Sequence, residues 1–256
     1  MINIKDIIKE YPKPQQAFKR RILREYFQYK ILDLIYQGKY SKQLIFLGGT
    51  ALKIVYGNPR FSEDLEFDNL GISHDDFNLL TSSIKKGMEK EGYKVEIRNI
   101  FKGAFRCYLK ILEVLFELKL TEHKSEKILI QLDTAPHKFS YAPEDYLLQK
   151  FEVFRWIKVA PIDIILAQKI ATITERKRAK GRDFFDIVFL YSKTEPNYQY
   201  LYSRLGIKNK DQLKEKLIKT VGKLDFRALA NDVEPFLFDP SQKNRVLYFE
   251  KFINQL

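Results

Sequence analysis

The chain has 256 residues, 45% of them apolar and 14% aromatic, and its 45 Lys and Arg against 33 Asp and Glu give a net charge of +12. That length fits one large or two modest domains, and the apolar fraction excludes disorder over most of the chain. No window approaches the roughly 18 uninterrupted apolar residues a bilayer span needs, so no membrane partner is expected. The start, Met1-Ile2-Asn3-Ile4-Lys5-Asp6, lacks the regions of a signal peptide, and a cytoplasmic protein is the expectation. Cys107, the single cysteine, excludes an intramolecular disulfide framework, and His74, His123 and His137 lie too far apart in sequence to suggest structural zinc. The basic balance favours polyanions such as RNA, DNA or nucleotides as partners.

Between Arg20 and Tyr36, Leu23, Phe27, Ile31, Leu34 and Ile35 recur at three- and four-residue steps, which predicts a helix with charged residues on its other face. Leu44-Ile45-Phe46-Leu47 reads as a strand, closed by Gly48-Gly49-Thr50 and followed by a short helix from Ala51. After Gly57-Asn58-Pro59, the alternation through Arg60–Asp68 predicts a strand with Ser62, Asp64, Glu66 and Asp68 on one side and Leu65 and Phe67 on the other. A helix with Phe77, Leu80, Ile84 and Met88 follows, then strands over Tyr93–Ile100, Phe105–Ile111 and Ile128–Asp133. Beyond about residue 140 the reading is helical: Glu144–Phe154, Ile162–Glu175, Asp183–Tyr191, and several helices from Lys210. The fold class is therefore α+β, with a boundary drawn between residues 1–142 and 143–256. There is no internal repeat and no low-complexity segment.

Four features carry chemistry. A Gly48-Gly49-Thr50 turn between strand and helix can present backbone N–H groups to a phosphate, although most such pairs are plain tight turns. Asp64 and Glu66, two apart on a strand, share a side, and their repulsion is relieved either by water or by a hard divalent cation. Asp133 completes a three-carboxylate set if its strand lies beside theirs; such a set can hold two metal ions. Lys169 falls within or at the edge of the apolar stripe of its helix, where it either snorkels to solvent or faces a phosphate. Finally, Arg176, Lys177, Arg178, Lys180 and Arg182 put five cations into seven residues, with Asp183 and Asp186 next on one helix face. Such a run is either a solvated surface or a contact for RNA backbone.

Gly48-Gly49-Thr50-Ala51-Leu52 and Arg60-Phe61-Ser62-Glu63-Asp64-Leu65-Glu66-Phe67 together resemble the signature of the AbiEii/AbiGii toxin family of nucleotidyltransferases. The likeness continues through Leu112–Asp133, Ala167-Gln168-Lys169-Ile170-Ala171 and Lys180-Gly181-Arg182-Asp183-Phe184-Phe185-Asp186, over about residues 20–190. It implies a polymerase-β-like core, a small mixed sheet flanked by helices, followed by a helical domain that contributes Lys169 and Asp183 or Asp186. By the same resemblance Gly48, Gly49, Thr50 and Ser62 would bind nucleotide, and Asp64, Glu66 and Asp133 would hold Mg²⁺ or Mn²⁺. Lys169 would neutralise the phosphates of an NTP, and the acceptor would be RNA or tRNA, with a cognate antitoxin as a further partner of a bacterial toxin. The family's metal pair is Asp-x-Asp; Glu66 departs from it by one methylene, so a shifted metal position and weakened activity are expected. The alternatives weighed beside a transferase are a non-catalytic RNA- or partner-binding module and a modifier of small hydroxylated substrates such as aminoglycosides, the last disfavoured by the positive charge.

Overall fold

The computed structural model describes residues 3–136 and 139–256; His137 therefore lies outside the described residues. In chain order the elements are α1 (Ile4–Lys9), α2 (Lys19–Gln37), β1 (Leu44–Leu47), α3 (Gly48–Ile54), β2 (Leu65–Asn69), α4 (His74–Lys90), β3 (Lys94–Lys102), β4 (Ala104–Leu112) and α5 (Val114–Glu117). Then come β5 (Ile128–Pro136), β6 (Glu144–Lys150), β7 (Val153–Val159), α6 (Ile162–Glu175), α7 (Gly181–Tyr191), α8 (Tyr198–Leu205), α9 (Lys210–Val221), α10 (Phe226–Val233), α11 (Asn244–Leu247) and α12 (Phe249–Gln255). The chain forms two compact units: residues 1–51 with 62–159, and residues 52–61 with 160–256. No described helix is long and apolar enough to cross a membrane.

The first unit is built on a seven-stranded mixed sheet in the order β3-β4-β5-β2-β1-β7-β6. Only β1 with β7 and β2 with β5 run parallel; the other neighbours are antiparallel. Strand alternation gives this sheet two unlike faces. One carries Leu65, Phe67, Phe46, Leu109, Ile130, Leu132 and Ile157, all buried, and packs against α2 and α4. The other carries Glu66, Asp68, Arg106, Gln131 and Asp133, all half-exposed.

Helix α2 departs from its expected amphipathic form. Besides Leu23, Phe27 and Ile31 it buries Glu25, Gln28 and Lys30, so its polar side is also covered and must be matched. Lys30 pairs with Glu91 and Glu152, Lys150 with Glu25 at 3.0 Å, and Arg155 with Asp33 at 2.7 Å. Tyr36 donates to the Lys158 carbonyl at 2.8 Å, which ties the helix to β7.

Two expectations are corrected. The segment 144–154, read as a helix, forms β6 and the start of β7, paired from Glu144↔Val159 to Lys150↔Val153. The β6–β7 hairpin lies within the first compact unit, which runs on to Val159. The two-residue turn Phe151-Glu152 places Phe151 at φ 56°, a left-handed conformation without the Asn-Gly or Asp-Gly signature that announces such a turn; edge-on contacts to Tyr26 and Tyr29 surround the ring. The second correction concerns residues 60–64: the strand begins only at Leu65, so Ser62 and Asp64 precede the sheet and do not share its register.

The second unit is helical, as expected. Its core includes a cluster in which the Phe184 ring meets Phe226 and Phe249 edge-on at 5.5 and 4.9 Å. Segment 52–61 enters it through the bridge of Arg60 with Leu237.

Candidate active site

In the first unit, β1 ends at Leu47 and α3 begins at once with Gly48, at φ +78°. Only glycine adopts that conformation without strain, and here space demands it too: a Cβ on Gly48 would lie 1.7 Å from Glu66 Oε2. Register explains the crowding, because Leu47 pairs with Glu66. The Gly49 N–H donates to Glu66 Oε2 at 3.2 Å. A backbone donor of the glycine turn is thus met by the chain's own carboxylate.

Glu66 also pairs in register with Asp133 on β5, about 4.8 Å away across neighbouring strands, so the two carboxylates project from one face. Asp133 is held by Arg106 Nε at 2.7 Å and by Gln131 Nε2 at 2.6 Å. Asp64 reaches the same end of β2 from the preceding segment. Its carbonyl accepts from Thr50 Oγ1, while Gln28 Nε2 donates to the carbonyls of Ser62 at 3.1 Å and Glu63 at 2.9 Å and Arg24 pairs with Glu63 at 2.9 Å. A polar side chain buried on α2 and the Thr50 hydroxyl therefore fix the backbone that carries Ser62 and Asp64.

The oxygen donors of Asp64, Glu66 and Asp133 suit a hard divalent cation in kind. Among the described residues no three acidic, histidine or cysteine side chains are gathered to hold a metal ion; Glu66 is turned to Gly49 and Asp133 to Arg106.

In the second unit, Lys169, Asp183 and Asp186 come together as the spacing of α6 and α7 allows. Lys169 Nζ lies 2.9 Å from Asp183 Oδ1 and 2.9 Å from Asp186 Oδ2, so the lysine in the apolar stripe has two anionic partners. Asp186 is fully buried and accepts from Arg60 through both oxygens at 2.6 Å and from Asn58 Nδ2 at 2.7 Å. Burial by itself raises its carboxyl pKa, but Arg60 and Lys169 outweigh burial and hold it at about 2. Arg176 pairs with Asp183. In the basic run, Arg182 lies over the Phe236 ring at 4.3 Å, and Lys177, Arg178 and Lys180 are exposed. Gly181 permits a close approach: a Cβ there would lie 1.9 Å from the Leu229 carbonyl, and its N–H donates to Asp232 at 2.8 Å.

The family described as "Nucleotidyl transferase AbiEii toxin, Type IV TA system" matches residues 30–248. The chain belongs to this family. The fold of this AbiEii chain is similar to that of JHP933 from Helicobacter pylori, which is 18% identical over 92% of this chain and 92% of that one, with a TM-score of 0.56. A candidate nucleotidyltransferase from the same organism is 20% identical over 91% of this chain and 94% of its own, with a TM-score of 0.54. At those identities the likeness is one of fold. No curated protein matches the chain.

Sequence reasoning passed over Arg60, Gln28 and Arg106. Arg60 stood inside the Arg-Phe-Ser run, and its buried pairing gives that run a physical reason. Arg106 carried no signal, since its meeting with Asp133 depends on the β4–β5 register.

Proposed function

We propose that this AbiEii-family chain transfers a nucleoside monophosphate from an NTP to a hydroxyl of an RNA acceptor. The observation that carries the reading is the in-register pair Glu66 and Asp133 beside a glycine turn whose amide already binds an anion. The acceptor oxygen forms a bond to the α-phosphorus, the α–β bridging P–O bond breaks, pyrophosphate leaves, and the acceptor proton passes to a carboxylate. Asp64 and Glu66, with Asp133, are the residues to hold Mg²⁺; when bound, the ion neutralises phosphate charge and lowers the pKa of an oxygen ligand. The protein's own contribution is positioning. Gln28 and Thr50 fix the Ser62–Asp64 backbone, and the Gly49 N–H is the donor to which a phosphate comes once Glu66 turns away. Asp186 is a positioning residue that fixes Asn58 and Arg60 within the second unit, and Lys169 shares in that fixing. The chain's toxin role and its pairing with an antitoxin follow from the family as part of the same reading.

Asp64→Ala tests it: with NTP, Mg²⁺ and total RNA, wild type is expected to release pyrophosphate and the variant, of unchanged circular dichroism, to release none above background. Equal release by both proteins would overturn the assignment, and RNA binding without release by wild type would favour a non-catalytic module.

A further inference from the structure

A groove of about 350 Å³ on the second unit is lined by residues of α7, α11 and α12 and by Tyr248 between the last two. Most of its polarity is cationic or amide: Arg245, Lys251, Asn244 and Gln255, with Tyr248 and Phe252 as aromatic walls. The neighbouring Lys243 is matched by Glu234 at 3.0 Å. Arg245 and Lys251, in contrast, meet aromatic faces and no carboxylate among the described residues. The Arg245 guanidinium lies 5.2 Å from the Phe185 centroid and Lys251 Nζ 5.2 Å from that of Tyr248. Arg245 also has a buried Nη1 without a hydrogen-bond partner. Burial lowers the pKa of this group, yet an arginine stays charged in proteins. A desolvated cation with an unmatched N–H is costly, and among the described residues the charge of Arg245 has no counter-ion beside it.

Beside these two cations, Tyr248 is 51% exposed, a flat apolar face at the mouth of a charged groove. An exposed aromatic next to two cations without a carboxylate is the combination that takes one base by stacking and its phosphate by charge. The volume lies at the low end of small-ligand pockets, which suits a single nucleotide unit.

We propose that this groove holds one nucleotide of single-stranded RNA, with Arg245 and Lys251 on the phosphate and Tyr248 against the base. The inference rests on the transferase reading only in taking RNA as the polyanion. The test is fluorescence anisotropy of a short labelled single-stranded RNA across a salt series, with wild type and with Lys251→Glu combined with Tyr248→Ala, two exposed positions that do not enter the core. The double variant is expected to bind about tenfold more weakly, with a salt slope shallower by about 0.7 for the lost phosphate contact. Equal affinity and equal slope would overturn the proposal, as would a wild-type affinity for a free nucleoside monophosphate equal to that for RNA. Arg245→Lys, retaining charge but not the fork, should bind with intermediate affinity. Because binding needs no turnover, failure here is distinct from failure of the transferase reading, which shows as pyrophosphate release indifferent to Asp64.

Discussion

Gly48 is held to glycine by two independent constraints, a φ of +78° and a carboxylate where its Cβ would be. Gly48→Ala should therefore destabilise the first unit by about 1–2 kcal/mol from the left-handed backbone and also drive Glu66 off the Gly49 N–H. Chemical denaturation and transfer assays should both register it, whereas wild-type stability with intact transfer would contradict the geometry. The same contact uses the length of the Glu66 side chain, which reaches the turn amide. At Asp186 the consequence is a pH dependence. Its folded pKa of about 2 lies below the usual 3.8, so the stabilisation is complete above about pH 4 and is lost as pH falls toward 2, a contribution of about 2 kcal/mol. Asp186→Asn should remove that acid-limb dependence and, by leaving Arg60 buried without its anion, cost about 3–5 kcal/mol at neutral pH. A denaturation series from pH 5 to pH 2 measures both; parallel curves for the two proteins would refute the pairing.

Among the elements, α2 does most to shape the candidate site. It covers one face of the sheet and also sends Gln28 to the carbonyls of Ser62 and Glu63. Gln28→Leu keeps the volume but strands two carbonyls, and a loss of about 1–3 kcal/mol together with reduced transfer is expected; an activity equal to wild type would show that these bonds do not set the Asp64 segment. Much at this scale was legible beforehand. The β1 strand, the α6 bounds and the helical second unit follow from apolar periodicity, and the glycine turn and the Asp64, Glu66 and Asp133 set were visible as residue types. Three things were not. The polar side of α2 looks solvated until its partners, Glu91, Glu152 and Lys150, arrive from other elements. The β6–β7 hairpin turns on Phe151, a residue that announces no turn. The strand β2 begins only at Leu65, and Arg60 meets Asp186, a partner 126 residues away.

Across the molecule, 45 Lys and Arg exceed 33 Asp and Glu to give a net charge of +12, and several of the cations divide by use. Arg60, Lys169 and Arg176 balance buried or half-buried aspartates, Arg106 restrains Asp133, and Arg245 and Lys251 are left for an external anion. The charge surplus therefore bears on the proposed RNA acceptor, while the proposed reaction is assigned to Asp64, Glu66 and Asp133 within a chain of the AbiEii family. The most direct measurement uses one NTP labelled at the α-phosphate and, in parallel, at the γ-phosphate, incubated with RNA, Mg²⁺ and either wild type or Asp64→Ala. Nucleotidyl transfer predicts α-label on the RNA, γ-label in pyrophosphate, and neither with the variant; γ-label on the RNA, or α-label incorporated equally by the variant, would contradict the account.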